Sequence, residues 1–193
     1  MPGRFFLARA VAGITDPPRM NIAPGQELIT LTTDGAQHMR WGMIPVGRVN
    51  ARGRPVMETI VNARSETVFD KSAFTDVKRA VVPVDGWYEW TGEKRSKQPW
   101  RITRKDGALL YFAAIFDVWH GPGGVEVSQV ATITCEPSAD VRDIHHRMGV
   151  ILDEDQLDQW LTADDEAAKI LMRPYPDGTL KVAKADDVDW NGP

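Results

Sequence analysis

Two Asp-Gly pairs constrain this chain more than any other feature of it. Asp34-Gly35 lies between Glu27 to Thr33 and Gln37 to Trp41, and Asp106-Gly107 lies between Pro99 to Arg104 and Ala108 to Val118. Extended runs joined by Asp-Gly read as β-hairpins, because a tight turn needs positive φ and glycine supplies it. Val125 to Cys135 and Gly149 to Leu152 read as further short strands. Helical signals come late. Asp153 with Gln156 fits a capping box ahead of Leu157, Trp160 and Leu161. Thr162 can cap a helix over Asp164 to Met172, whose apolar face is Ala167, Ala168, Leu171 and Met172, and Pro174 stops it. Asp70 to Val77 reads as a short helix, Gly47 to Pro55 as an exposed basic loop, and Asp186 to Pro193 as a loose polar tail. A strand-rich chain with segregated helices predicts an α+β fold rather than a doubly wound sheet. A length of 193 residues fits one domain, residues 1–193, with a real core.

Composition narrows the function. A formal net charge of −4 excludes nucleic-acid binding driven by global charge and leaves room for a local basic groove. No apolar run is long enough for a membrane span, and the start lacks the pattern of a secretory signal. The single cysteine, Cys135, cannot form an internal disulfide, which fits a reducing cytoplasm, and a small buried strand residue is its plainest reading. No zinc-ligand spacing is present, so no metal is expected.

Three polar segments stand out. Val61 to Thr67 (Val-Asn-Ala-Arg-Ser-Glu-Thr) is a dense polar run that reads either as a loop presenting hydrogen-bonding groups or as an ordinary capped turn. In Pro83 to Trp90, strand alternation puts Trp87 and Glu89 on one face and Tyr88 and Trp90 on the other. A carboxylate among tryptophans is desolvated, its pKa rises, and it suits proton transfer; the alternative is a surface glutamate beside an aromatic ladder. His145 and His146 point to opposite faces if the chain there is extended, a poor metal pair. One of them can serve an active site, with Arg147 as a phosphate or carboxylate partner; a structural histidine is the other reading.

Together with the N-terminus these pieces resemble the SRAP family, the SOS-response-associated peptidases or abasic-site processing proteins. The likeness runs in order through Gly3-Arg4-Phe5, Asn21-Ile22-Ala23-Pro24, Trp41-Gly42-Met43-Ile44-Pro45, Asn62 to Thr67, Asp85 to Trp90, Gln98-Pro99, Ile144 to Met148 and Trp160-Leu161. It implies a mostly antiparallel, barrel-like sheet with a few peripheral helices, acting as a monomer without cofactor on single-stranded DNA at abasic sites. By the same resemblance Asn62 orients the N-terminal nucleophile or the sugar, Glu89 shuttles protons and His145 assists sugar ring opening. Arg4, Arg64, Ser65 and Arg147 would contact DNA, and Trp41 would lie against it at the lesion. The family also carries a proposed autopeptidase step that frees residue 2.

Three positions depart from the family's pattern. Pro2 stands where members carry a nucleophilic cysteine, His146 where Asp is common, and Gly149 where Pro is common. A thiazolidine needs amine and thiol on one residue, and Pro2 offers only a secondary amine. Once Met1 is removed, that amine can form an iminium with an aldehyde, an electron sink that favours β-elimination of the 3′ phosphate. The chain is therefore expected to act as a transient Schiff-base lyase at abasic sites. The alternatives are a noncatalytic shield of single strands and a protease acting on itself or other proteins.

Overall fold

Strands β1 (Arg4–Leu7) and β2 (Arg19–Ile22) open the computed structural model, which describes residues 2–45, 52, 59–93 and 96–192. The hairpin read at the first Asp-Gly pair forms one residue earlier: β3 (Glu27–Thr32) and β4 (Gly35–Trp41) pair antiparallel around a Thr33-Asp34 tip, and Gly35, opposite Thr32, takes a φ of 113°. After the short β5 (Asn62–Arg64) come β6 (Lys78–Val84), β7 (Gly86–Thr91), β8 (Gln98–Arg104), β9 (Leu110–His120) and β10 (Glu126–Cys135). The chain ends through β11 (Met148–Gly149), β12 (Ile151–Leu152), helices α1 (Leu157–Thr162) and α2 (Asp165–Leu171), and β13 (Leu180–Lys184).

The strands form two sheets. One runs β13-β8-β7-β1-β2. In the other, β10 pairs β4, β4 pairs β3, β3 pairs β6, β6 pairs β9, and β9 returns to β10, which closes a barrel. Closure removes open edges. All pairings in that ring are antiparallel except β4 with β10. The α+β, barrel-like architecture is therefore as expected. The core fills the barrel and the space beneath the second sheet, with Trp41, Trp87 and Trp160 fully buried. Helix α1 is pinned on β6, where Trp160 Nε1 donates to the Ala80 carbonyl at 2.8 Å and Arg79 Nε to the Trp160 carbonyl at 2.6 Å. No helix among the described residues is long and apolar enough to cross a membrane.

Several expectations are corrected. Asp106-Gly107 does turn the chain, since Asp106 Oδ1 accepts from Ala108 N at 3.0 Å and Gly107 has a φ of 73°. The flanking strands do not pair: both edges of β8 are taken by β7 and β13, while β9 pairs β6, β10 and β12, so the turn hands the chain from one sheet to the other. Asp70 to Val77 yields only a 3₁₀ turn at Ser72–Phe74, ended by the extended Thr75 and followed by Asp76 at a positive φ of 60°. Helix α2 is capped by Asp164, whose side chain accepts from Ala167 N, because the Thr162 hydroxyl is bonded back to the Asp158 carbonyl within α1. The tail is docked rather than loose: Trp190 packs on Tyr88 and Trp90 with ring centroids 5.0 and 5.3 Å apart. Trp41 is fully buried, its ring 4.5 Å from Phe5 and its Nε1 donating to the Val61 carbonyl, so it is a core residue with no face to lay against DNA. The capping box at Asp153 and Gln156 is present. The predicted basic loop, Gly47 to Pro55, lies outside the described residues apart from Arg52.

Candidate active site

The site is organised by the antiparallel register of β1 on β7. Arg4 pairs with Tyr88 and Phe5 with Trp87, so one further step back along β1 sets Gly3 opposite Glu89. Alternation places Glu89 on the Trp87 side, where it is 3% exposed, and Tyr88 and Trp90 on the outer face. Burial pushes the Glu89 carboxyl up from 4.5 to about 7, against the pull of the positive charge at the chain's amino terminus. This is the desolvated carboxylate expected from sequence, not a surface glutamate.

Pro2 is buried and fixed: Asn62 Nδ2 donates to the Pro2 carbonyl at 2.9 Å. Asn62 is itself oriented, because the Thr132 hydroxyl donates to its Oδ1 at 2.6 Å. That arrangement follows from the parallel pairing of β5 with β10, which aligns Asn62 with Thr132 and Arg64 with Thr134. Thr132 gave no signal in the sequence, since a threonine in a strand reads as β-propensity alone. It is fully buried, and Thr132→Val leaves the Asn62 carbonyl oxygen without its donor. We expect a loss of about 1–3 kcal/mol in urea unfolding; an unchanged midpoint would show that Asn62 is held by other means.

His145 lies beside a turn rather than in an extended run, so its ring stacks on His146 at 4.3 Å instead of pointing away, which corrects the opposite-face expectation. Its Nδ1 lies 3.0 Å from Arg147 N and 3.1 Å from the Arg147 carbonyl oxygen, so the backbone of Arg147 fixes the ring's orientation in either neutral tautomer. Burial, then the amino-terminal charge and His146, pull its pKa down to about 4, so the ring is neutral at pH 7. Glu89 and His145 thus share one electrostatic influence, the positive start of the chain.

The expected DNA contacts sort differently. Arg64 is exposed at the end of β5, on the same strand face as Asn62. Ser65 donates from its backbone N to the Thr134 carbonyl at 2.9 Å. Arg147 grips Glu66 through its two terminal guanidinium nitrogens and donates from Nη2 to the Thr134 carbonyl at 2.6 Å. Its partner is therefore a carboxylate, one of the two partners its sequence setting suggested. The Glu66 carboxyl is held down at about 2 chiefly by that contact. Arg4 Nε donates to Asn21 Oδ1 at 2.9 Å, so it too has a protein partner. Gly149 presses on β9, where an added Cβ would lie 2.1 Å from the Phe112 ring. Cys135 is 3% exposed and burial pushes its thiol up to about 12, which removes it as a nucleophile. No cluster able to hold a metal ion occurs among the described residues.

This geometry can place an N-terminal residue against a proton-transfer carboxyl and a neutral imidazole. The sequence pattern described as SOS response associated peptidase (SRAP) matches residues 5–188. The chain belongs to the SRAP family. It is 34% identical over 200 residues to abasic site processing protein YoaM of Bacillus subtilis, covering 91% of this chain and 86% of that one. It is 35% identical over 147 residues to abasic site processing protein HMCES of Gallus gallus, covering 64% of this chain and 44% of the larger relative. A crystal structure of a protein from Bordetella bronchiseptica superposes with a TM-score of 0.80 at 25% identity, covering 95% of this chain and 99% of that one. Within this SRAP fold, Asn62, Glu89 and His145 come from β5, β7 and the turn before β11, far apart in sequence and joined only by the barrel and its neighbouring sheet.

Proposed function

We propose that this SRAP protein processes abasic sites in single-stranded DNA through a transient Schiff base formed by Pro2. The observation that carries the reading is the fixed position of residue 2. Chain ends are ordinarily loose, whereas Pro2 is buried with its carbonyl tied to Asn62. An autopeptidase step hydrolyses the Met1–Pro2 peptide bond with one water, releasing methionine and freeing the Pro2 nitrogen, whose lone pair is delocalised into the carbonyl while it is acylated. The Pro2 nitrogen then adds to C1′ of the ring-opened sugar. The carbinolamine loses its hydroxyl as water, taking a proton from Glu89, and leaves an iminium. Loss of the C2′ proton to the now charged Glu89 sends electrons through the iminium and expels the 3′ phosphate. Water hydrolyses the iminium and releases Pro2. Neutral His145 serves sugar ring opening, and Arg64 and Ser65 flank the strand.

The names of the relatives support the substrate, and the burial of Glu89 supports its role as a proton carrier. The protein is proposed to act in the cytoplasm as a monomer. Borohydride tests the reading. Mixing the Met1-free protein with single-stranded DNA carrying one abasic site is expected to give an adduct on a denaturing gel only when reductant is present. The same oligonucleotide without the lesion gives none. Bound DNA with no trapped adduct would leave a noncatalytic shield and sink the covalent reading.

A further inference from the structure

The outer face of the sheet β13-β8-β7-β1-β2 carries an aromatic and cationic platform, and the chain's own end lies on it. Phe6 and Tyr88 pack with centroids 5.1 Å apart, and the Arg101 guanidinium sits 5.8 Å from each ring. Rings and guanidinium planes of this kind stack nucleobases and draw phosphates. The tail that covers them imitates a strand of nucleic acid in both respects. The Trp190 indole packs on Tyr88 and Trp90, as a base would. Asp187 accepts from Arg101 at 3.0 and 3.2 Å, and Asp186 accepts from Gln98 at 2.9 Å, as phosphates would. Asp186, Asp187 and Asp189 concentrate negative charge in a short stretch of the chain.

The tail also reaches Asn21, the partner of Arg4. Asn21 Nδ2 donates to the carbonyls of Trp190 at 2.9 Å and Gly192 at 3.1 Å, while Asn21 Oδ1 holds Arg4. Docking the tail therefore orients the amide that occupies Arg4, two residues from Pro2. Beyond the covered part, the same face opens into a groove of about 540 Å³ lined by Phe6, Met20, Lys105 and Lys181, with Arg9 paired to Asp85 and Arg104 to Asp106 along its wall. A negatively charged strand leaving the platform would enter this groove. The family match ends at residue 188, short of Trp190.

We propose that residues 186–192 are an intramolecular competitor of single-stranded DNA, displaced from Tyr88, Trp90 and Arg101 when a strand binds. The proposal rests on the single-strand reading above. It is tested without an abasic site, so that loss of covalent chemistry cannot affect the result. Affinity for a short oligothymidylate is measured by fluorescence anisotropy for the full chain and for a chain ending at Ala185. Removing the tail is expected to tighten binding about tenfold and to steepen its fall between about 50 and 200 mM salt, because Arg101 and Arg4 become free for phosphates. A synthetic peptide of residues 185–192 is expected to reverse the gain.

The truncation exposes apolar rings, so the folded double variant Asp187→Asn with Trp190→Ala is measured alongside and is expected to tighten binding in the same direction. Equal or weaker binding by both altered proteins overturns the tail as competitor while leaving DNA binding intact. No binding by any form overturns the single-strand reading itself, and the competitor with it.

Discussion

Glu89→Gln is expected to slow trapping of an abasic-site adduct by about 10² to 10⁴ while changing single-strand affinity less than twofold. The amide fills the same space and cannot exchange a proton. Glu89 is 3% exposed and touches the interior side of β7, so it offers DNA no surface whose loss would weaken binding. The pH profile makes the assignment specific. Formation of the iminium needs a protonated Glu89, with a pKa of about 7, and a neutral amine at Pro2, whose ordinary pKa is about 8. The wild-type rate is expected to peak between these values, and the falling limb above about pH 8 is expected to vanish in the variant. A variant within threefold of the wild-type rate would end the role given to Glu89.

The same substitution has an expected effect on stability with opposite sign. Below about pH 4.5 Glu89 is protonated in both folded and unfolded chains, and the stability that comes from burying a neutral carboxyl is fully present. As pH rises from 4.5 to about 7, the unfolded chain gives up the proton and the folded chain retains it. Stability then falls by about 1.4 kcal/mol per pH unit, about 3 kcal/mol across the window. Glutamine suffers no such loss. The variant is therefore expected to be the more stable protein at pH 8 in urea, its advantage shrinking as pH is lowered through that window. A protein that gains stability while losing chemistry has given up a strained functional group, not a structural one.

What was legible in the sequence follows from the range of the interactions involved. Asp34-Gly35 and the capping box at Asp153 are local devices whose partners sit a few residues away, and both form, the hairpin tip one residue earlier than read. The face assignment of Glu89 needed only the two-residue period of a strand. Asp106-Gly107 exposes the limit: the turn is local and correct, but which strands pair is decided by the competing edges of β7, β13, β6 and β10. Trp41 failed for a related reason. A tryptophan next to glycine in a family motif reads equally as a stacking surface or a core residue, and only Phe5 and the Val61 carbonyl around it decide. Thr132 and the docking of the tail were invisible because each acts through residues far along the chain: Thr132 on Asn62, and Trp190 on Tyr88 and Trp90.

Pro2→Cys is expected to convert a fleeting adduct into one that survives a denaturing gel without borohydride. Proline supplies an amine and no thiol, so its iminium meets only water or β-elimination. Cysteine supplies both on one residue, and the thiol closes on the iminium carbon as a five-membered ring. Intramolecular closures of this kind have effective molarities of about 10⁵ M or more, so the ring outlasts hydrolysis. The fold admits the change, because Asn62 binds the carbonyl of residue 2, an atom that any side chain leaves in place. Cys135 does not confound the result: it is present in both proteins, buried, with its thiol pushed up to about 12. Pro2→Ser is the matched control, with an amine and no thiol, and is expected to remain dependent on reductant. If Pro2→Cys needs borohydride as the parent does, residue 2 does not reach the aldehyde carbon, and the DNA chemistry belongs to another group.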